Sequence, residues 1–446
     1  MPGMSRFAVI ESKMQGVELS TAAIDAFRHC VHVLESKQSM LIPEADIVPA
    51  EGVADWDALV EVTPAADAEL LSQAVLIKLN GGLGTSMGLQ KAKSLLEIKP
   101  GVTFLDLIVR QVQSLRAAAG CPVNLLLMNS FSTSADTMAY LSRYAEAGFA
   151  DSQQVEMLQN RVPKLLADTL EPATFPENPE LEWCPPGHGD IYPALVGSGW
   201  LDKLLSAGVK YAFVSNSDNL GAQMDTRFLR WFAESGSPFV MEVTRRTEAD
   251  KKGGHLAMRA ADSQPLLREV AQCPEEDVPA FQDIDKHRYF NTNNLWIRLD
   301  ALRDYLKANG GVLPLPVICN RKTLDPRDAS TPEVVQLETA MGAAIQCFPG
   351  ARAVCVPRSR FFPVKTCSDL LLLRSDAVVI NDSGLMSLAP ECGGVAPIVK
   401  LDSKLYKLVD SLDALGVPSL KHVRKLEVSG PHSFAPGEPL SGEVSV

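Results

Sequence analysis

Four groups of residues have the types and spacing to do chemistry. Gly81, Gly82, Gly84 and Gly88 crowd into the turn after Leu76-Ile-Lys-Leu-Asn80. Glycine there permits positive φ and close approach of a ligand to the main chain, which suits a phosphate cradle. The spacing is neither that of a P-loop nor G-x-G-x-x-G, because Gly82, Gly84 and Gly88 give G-x-G-x-x-x-G. In Asn216-Ser-Asp-Asn219 the carboxylate of Asp218 could hold Mg2+ through oxygen, or could close an Asx turn. Pro185-Pro-Gly-His-Gly-Asp190 sets His188 between stiff prolines and permissive glycines, so the imidazole could donate to a phosphate oxygen or a sugar hydroxyl. Phe290-Asn-Thr-Asn-Asn-Leu-Trp296 offers three amides, which donate and accept and so suit a ligand dense in hydroxyls. Lys93 and Lys365 are the candidate cations. With no G-x-S-x-G elbow, H-E-x-x-H pair or cysteine in a nucleophile's context, the set points to phosphate chemistry by positioning and charge.

These residues need elements to hold them. Apolar runs predict strands at Ala74–Leu79, Val123–Met128, Tyr211–Ser215, Phe239–Val243, Leu295–Ile297 and Ala353–Val356, with the amides just ahead of the Leu295 strand. Helices are predicted at Thr103–Ala118, Ala135–Ala147, Trp200–Ala207 and Val334–Cys347. The alternation is that of an α/β domain with a largely parallel sheet, whose ligands sit beyond the carboxyl ends of the strands. Several of the polar motifs follow strands at those ends.

The remainder divides around this centre. Residues 1–70 read as a helical extension, with Ser20 capping a helix that carries Ile24, Phe27, Val31 and Leu34 on one face. His29 and His32 on that helix are one turn apart, a spacing that suits packing or solvent better than a metal. Residues 71–395 form the central domain. In residues 396–446, Val428, Phe434, Leu440 and Val446 recur every six positions, a hint of a parallel β-helix coil whose end could be covered by another subunit.

At 446 residues two or three domains are expected. No stretch approaches the ~20 apolar residues of a membrane span. The N-terminal residues lack the pattern of a secretory signal. A net charge of -12 argues against a nucleic-acid partner. Nine cysteines without a C-x-x-C pair fit free thiols in a reducing, cytoplasmic setting.

Taken together, Lys78-Leu-Asn-Gly-Gly-Leu-Gly-Thr-Ser-Met-Gly88, Leu127-Met-Asn-Ser-Phe131, Pro185–Asp190, Asn216–Gly221, Lys252-Gly-Gly254, Phe290–Trp296 and Val356–Lys365 resemble, in family order, the eukaryotic-type UTP–glucose-1-phosphate uridylyltransferases. That family has Ser at the position of Ser86, where most sugar nucleotidyltransferases, including the UDP-N-acetylglucosamine enzymes, carry Arg. The resemblance implies a Rossmann-like nucleotidyltransferase centre with a mixed, largely parallel sheet and a C-terminal left-handed β-helix, shorter here than in members that form large oligomers. The implied partners are UTP, glucose-1-phosphate, UDP-glucose and pyrophosphate, with Mg2+ as cofactor and a monomer or small homo-oligomer as the assembly.

Carried over by residue, the main chain of Leu79, Asn80, Gly81 and Gly82 holds the uridine and its phosphates, and Gln159 and Gly187 read the uracil edge. Asn216 lies near the ribose, Lys93 neutralises the triphosphate and Asp218 holds Mg2+. His188, Gly254, Glu269, Asn291 and Asn293 contact the glucosyl phosphate, and Lys365 meets the phosphate where charge builds. A broader UDP-sugar pyrophosphorylase, a nicotinamide-dependent oxidoreductase and a silent nucleotide-binding subunit are the competing readings. The broken glycine spacing counts against the oxidoreductase, and the presence of Lys93, Asp218 and Lys365 against the silent subunit.

Overall fold

The computed structural model describes residues 6–36 and 39–446; Met1–Ser5, on which part of the N-terminal reading falls, and residues 37–38 of the extension lie outside them. A long mixed sheet organises the chain. Its strands run, across the sheet, Ala54–Asp55, Arg352–Cys355, Phe239–Arg245, Tyr289–Arg298, Tyr211–Asn216, Ala74–Asn80, Asn124–Asn129 and Glu156–Leu158. Tyr289–Arg298 is antiparallel to both neighbours, and the other pairs along this path are parallel.

Successive residues of a strand face opposite sides, and here both sides are covered. Leu76, Leu125, Leu127, Phe213 and Trp296 face a core built with the helices Phe104–Ala119 and Thr226–Ser235. Val75, Ile77, Leu126, Val214, Met241 and Leu295 face a second core with Tyr192, Leu204 and Leu302. That two-sided burial is why the central strands read as continuous apolar runs. Helix Phe104–Ala119 is bounded as its residues dictate: Thr103 and Asp106 close a capping box, and Gly120 ends it at φ 66°.

Ser20 caps the helix Thr21–Glu35, its Oγ accepting from the Ala23 N–H at 3.2 Å, and Ile24, Phe27 and Val31 are buried. They pack against Leu165, Val317, Val335 and Leu337, on a small antiparallel sheet of Val317–Thr323, Glu333–Thr339 and Leu165–Leu166, and against Val162 of the neighbouring pair Val162–Pro163 and Trp183–Cys184. This corrects the predicted helix Val334–Cys347: Glu333–Thr339 is a strand, followed by a 3-10 turn at Met341–Gln346. Val334 and Val335 face two different small cores, so the run is apolar on both sides and its periodicity does not separate strand from helix. The predicted helix Ala135–Ala147 is α-helical at Ser134–Leu141 and turns 3-10 from Ser142 to Ala147.

Ile47–Pro49 pairs with His255–Arg259, so the segment ahead of the central strand contributes strands as well as helices. The C-terminal residues form three short parallel strands, Ile398–Leu401, Val423–Val428 and Gly442–Ser445. Val428 and Phe434 of the six-residue repeat are buried, while Val446 is exposed. Among the described residues no helix is long and apolar enough to cross a membrane.

Candidate active site

Four parallel strands end side by side, and their last residues begin the site. Asn80 donates from Nδ2 to Asn129 Oδ1 at 2.7 Å, the Gln159 N–H donates to the Asn129 carbonyl at 2.7 Å, and Asn216 stands opposite Leu79. Beyond them Ser130 Oγ donates to the Gly81 carbonyl at 2.9 Å, fixing the start of the glycine turn. Gly84 and Gly88, at φ 62° and 81°, bracket the 3-10 turn Thr85–Met87, so positive φ is needed there. Gly81 serves differently. A Cβ on it would stand 2.7 Å from Gln159 Oε1, whereas one on Gly82 would meet nothing within 4 Å. Gln159 Nε2 donates to the Gly187 carbonyl at 3.0 Å, so the two residues expected at the base edge, from distant parts of the chain, form one wall with Gly81 beside them.

The charged residues also meet. Lys93 and Lys365 both donate to Asp218 Oδ2, at 2.8 and 3.0 Å. Lys93 also holds the Val364 carbonyl, and its N–H donates to the Gly82 carbonyl at 3.0 Å, tying the cation to the glycine turn. Burial pushes the Asp218 carboxyl up, but Lys365 and Lys93 together outweigh it and hold the group below its ordinary value. Among the described residues Asp218 Oδ1, which is buried, has no hydrogen-bond partner. A carboxylate with one free, buried oxygen fits a divalent cation that takes its remaining ligands from phosphates and water. Among the described residues no three His, Cys, Asp or Glu side chains are placed to hold a metal, so a cage made wholly of protein is not what this site offers.

The residues expected around a sugar phosphate cluster too. Asn291 and Asn293 lie inside the Tyr289–Arg298 strand, not ahead of it as the apolar run predicted. The strand carries a bulge: pairing jumps from Glu242–Asn294 to Val243–Asn291, and Asn293 takes φ 58°. The bulge turns the amides toward one another, Asn291 Nδ2 donating to Asn293 Oδ1 at 2.9 Å. The Asn291 N–H donates to the Gly254 carbonyl at 3.1 Å, and a Cβ on Gly254 would stand 2.5–2.6 Å from the Glu269 carboxylate. Burial raises that carboxyl. A Cβ on Gly342 would lie 3.1 Å from Asn291 Nδ2, and the neighbouring Met341 N–H donates to His188 Nδ1 at 3.0 Å, so one turn spans from the amides to the histidine.

That last bond decides how His188 works. An Nδ1 that accepts from a backbone N–H leaves the proton on Nε2. Burial, with the Lys365 charge adding to it, pushes the imidazole down to about 4. His188 is therefore a neutral donor through Nε2–H at neutral pH. Its folded pKa lies below the unfolded value of 6.5, so the unfolded chain binds the proton more readily between pH 4 and 6.5. The contribution to stability is complete above that window and falls as pH drops through it. A histidine-selective 15N spectrum at pH 7 should show the neutral Nε2–H tautomer for His188; an imidazolium signal would contradict the geometry.

Sequence reasoning passed over Glu242, Asn219 and Arg360, which join these parts from beneath. Glu242 had a signal, a lone acid in the apolar run Phe239–Val243; Asn219 and Arg360 lay inside motifs and had none of their own.

The chain is similar to proteins of known activity. A family model described as UTP–glucose-1-phosphate uridylyltransferase matches residues 24–440. The UTP–glucose-1-phosphate uridylyltransferase of Solanum tuberosum is 41% identical over 401 residues, covering 89% of this chain and 82% of the potato protein. That of Saccharomyces cerevisiae is 43% identical over 380 residues, covering 84% and 74%. Among solved structures, a point mutant of UDP-glucose pyrophosphorylase from Leishmania major in complex with UDP-glucose superposes with a TM-score of 0.94 at 46% identity, covering 99% of this chain and 95% of that one.

Proposed function

The chain belongs to the UTP–glucose-1-phosphate uridylyltransferase family, and from that premise we infer that it transfers the uridylyl group of UTP to glucose-1-phosphate, giving UDP-glucose and pyrophosphate. The observation that supports a division of labour within the site is the convergence of Lys93 and Lys365 on one oxygen of Asp218 beside the glycine turn.

In this reading the main chain of Leu79, Asn80, Gly81 and Gly82 takes the uridine and its phosphates, Gln159 and Gly187 face the base, and Asn216 lies toward the ribose. His188, Gly254, Glu269, Asn291 and Asn293 hold the glucosyl phosphate. Its phosphate oxygen attacks the α-phosphorus of UTP in line as the bond to the β-phosphate breaks. A phosphate monoester has a second pKa of ~6, so the nucleophile is already largely ionised at neutral pH and needs no general base. What the site must do is align two anions that repel and offset the charge that builds as they meet. Lys93 faces the triphosphate and Lys365 the reacting phosphate, while the neutral His188 offers Nε2–H without competing for a proton. Asp218 would hold Mg2+ through Oδ1, and a bound Mg2+ supplies Lewis-acid withdrawal of charge from phosphate oxygens.

The division into residues 1–70, 71–395 and 396–446 belongs to the same proposal, the last a short β-helix-like domain built on the three parallel strands. A cytoplasmic setting fits its nine free cysteines, and a monomer or small homo-oligomer is the assembly that belongs to the same reading.

A pyrophosphate-release assay with UTP, Mg2+ and a panel of sugar-1-phosphates tests the function. Glucose-1-phosphate should be the best acceptor, and no release with any of the panel would refute it. Gly254→Ala tests the sugar subsite. Its Cβ would force the Glu269 carboxylate aside. The expected result is a KM for glucose-1-phosphate raised about ten- to a hundredfold, the range for a misfitted methyl in a pocket, with KM for UTP little changed.

A further inference from the structure

Beneath the charged trio lies an interior polar cluster that the chemistry above does not use. The carboxylate of Glu242, fully buried in the middle of the Phe239–Arg245 strand, accepts four hydrogen bonds from described residues. Trp296 Nε1 and Arg360 Nη2 donate to Oε1 at 2.9 and 2.6 Å, and Asn294 Nδ2 and Arg360 Nε donate to Oε2 at 3.0 and 2.8 Å. Arg360, also buried, spends its remaining reach on the Gln223 carbonyl at 3.0 Å. Its own carbonyl accepts from Asn219 Nδ2 and Asn294 Nδ2, both at 3.2 Å. Asn219 Oδ1 then accepts the Phe362 N–H at 2.8 Å, and the carbonyl of Asp218 accepts the Val364 N–H at 3.2 Å. The segment that ends in Lys365 is thus hung at residues 360, 362 and 364 from Glu242 and from the two residues Asp218 and Asn219.

A buried ion pair adds little net stability over an apolar pair of the same size; its best-attested use is to enforce one register. The floor under this pair is stiff, since Trp296 stacks on Phe228 at 4.7 Å and lies against Phe213 at 4.5 Å. We propose that Glu242 is a positioning residue which, through Arg360 and Asn219, holds the 360–364 segment in the single register that brings Lys365 to Asp218. The proposal rests on the assignment of Lys365 to the reacting phosphate.

The test is a double-mutant cycle of Glu242→Gln with Lys365→Ala, read as kcat and KM well below the melting temperature. Glu242→Gln keeps the shape but turns one acceptor into a donor facing Arg360. Its kcat should fall by about tenfold or more, the order expected of a displacement of an ångström or less, with a smaller change in either KM. In the Lys365→Ala background the same substitution should lower kcat no further, because the residue through which it acts is gone. Multiplying losses, or a folded Glu242→Gln with wild-type turnover, would overturn the proposal. If Glu242→Gln does not fold, Glu242→Met/Arg360→Met carries the test, since it leaves no charge uncompensated. That pair also takes from Trp296 Nε1–H its acceptor and from the Gln223 carbonyl its donor, so its melting temperature should fall modestly; turnover measured well below that temperature should be lost, and retained turnover would overturn the proposal. Wild-type turnover in Lys365→Ala alone is a different failure: it would remove Lys365 from the reaction, and the proposal with it.

Discussion

Lys365→Ala should lower kcat by about two to three decades while leaving the fold intact, the range that loss of one preorganised electrostatic donor usually costs. The expectation of an intact fold comes from exposure. The Lys365 side chain is 57% exposed and its one described ion pair is the 3.0 Å contact with Asp218. Exposed pairs of this kind contribute only ~0–1 kcal/mol. Truncation also leaves Asp218 its bond from Lys93, so the carboxylate stays paired. The loss should therefore fall on the charge that develops as the two phosphates meet, and appear in kcat more than in either KM. Steady-state kinetics with both substrates varied, alongside a melting curve, separates the two. Near-normal kcat would take Lys365 out of the mechanism.

Asp218→Asn should be the more damaging change. The amide fills the same space, but it carries no charge and cannot answer two ammonium groups or present a charged oxygen to Mg2+. Turnover should fall by about three decades, since metal-assisted charge stabilisation is worth several kcal/mol. The Mg2+ concentration for half-maximal activity should rise more than ~tenfold, because even an outer-sphere partner of a metal is worth 10–100-fold. The fold should suffer as well. Lys365 can turn to water, but Lys93, 14% exposed, is left with the Val364 carbonyl. A loss on the order of 2 kcal/mol is expected, below the 3–5 kcal/mol of a fully interior pair.

The pH dependence follows from the sign of the Asp218 shift. Its folded pKa lies below the ordinary 3.8, so its stabilisation is full above that value and is lost as pH falls through the folded pKa. Melting temperatures of wild type and Asp218→Asn should differ most near pH 7 and converge in acid below about pH 4. A constant gap across that range would mean that the carboxylate charge is not what Lys93 and Lys365 require.

Much of this protein was readable before any fold was drawn, and the division has a physical basis. The sequence by itself determined what depends on neighbours in the chain. Continuous apolar runs ending in polar or glycine-rich turns marked the strands Ala74–Asn80 and Tyr211–Asn216 and the loops that follow them. Cap chemistry marked the helix beginning after Ser20. Lys93, Asp218 and His188 could be picked out because the turns that display them leave local signatures, and Asn291 because three amides cluster beside an apolar run. Where local signals were equal, the tertiary structure chose: Glu333–Thr339 became a strand because partners waited on both edges, and a bulge drew the Asn291 amides inside a strand. Only the fold decided which residues meet. Asp218 reaches Lys93 across 125 positions and Lys365 across 147, and Met341 fixes the His188 tautomer across 153. Contacts that distant are set by sheet order and loop path, which no stretch of neighbouring residues encodes.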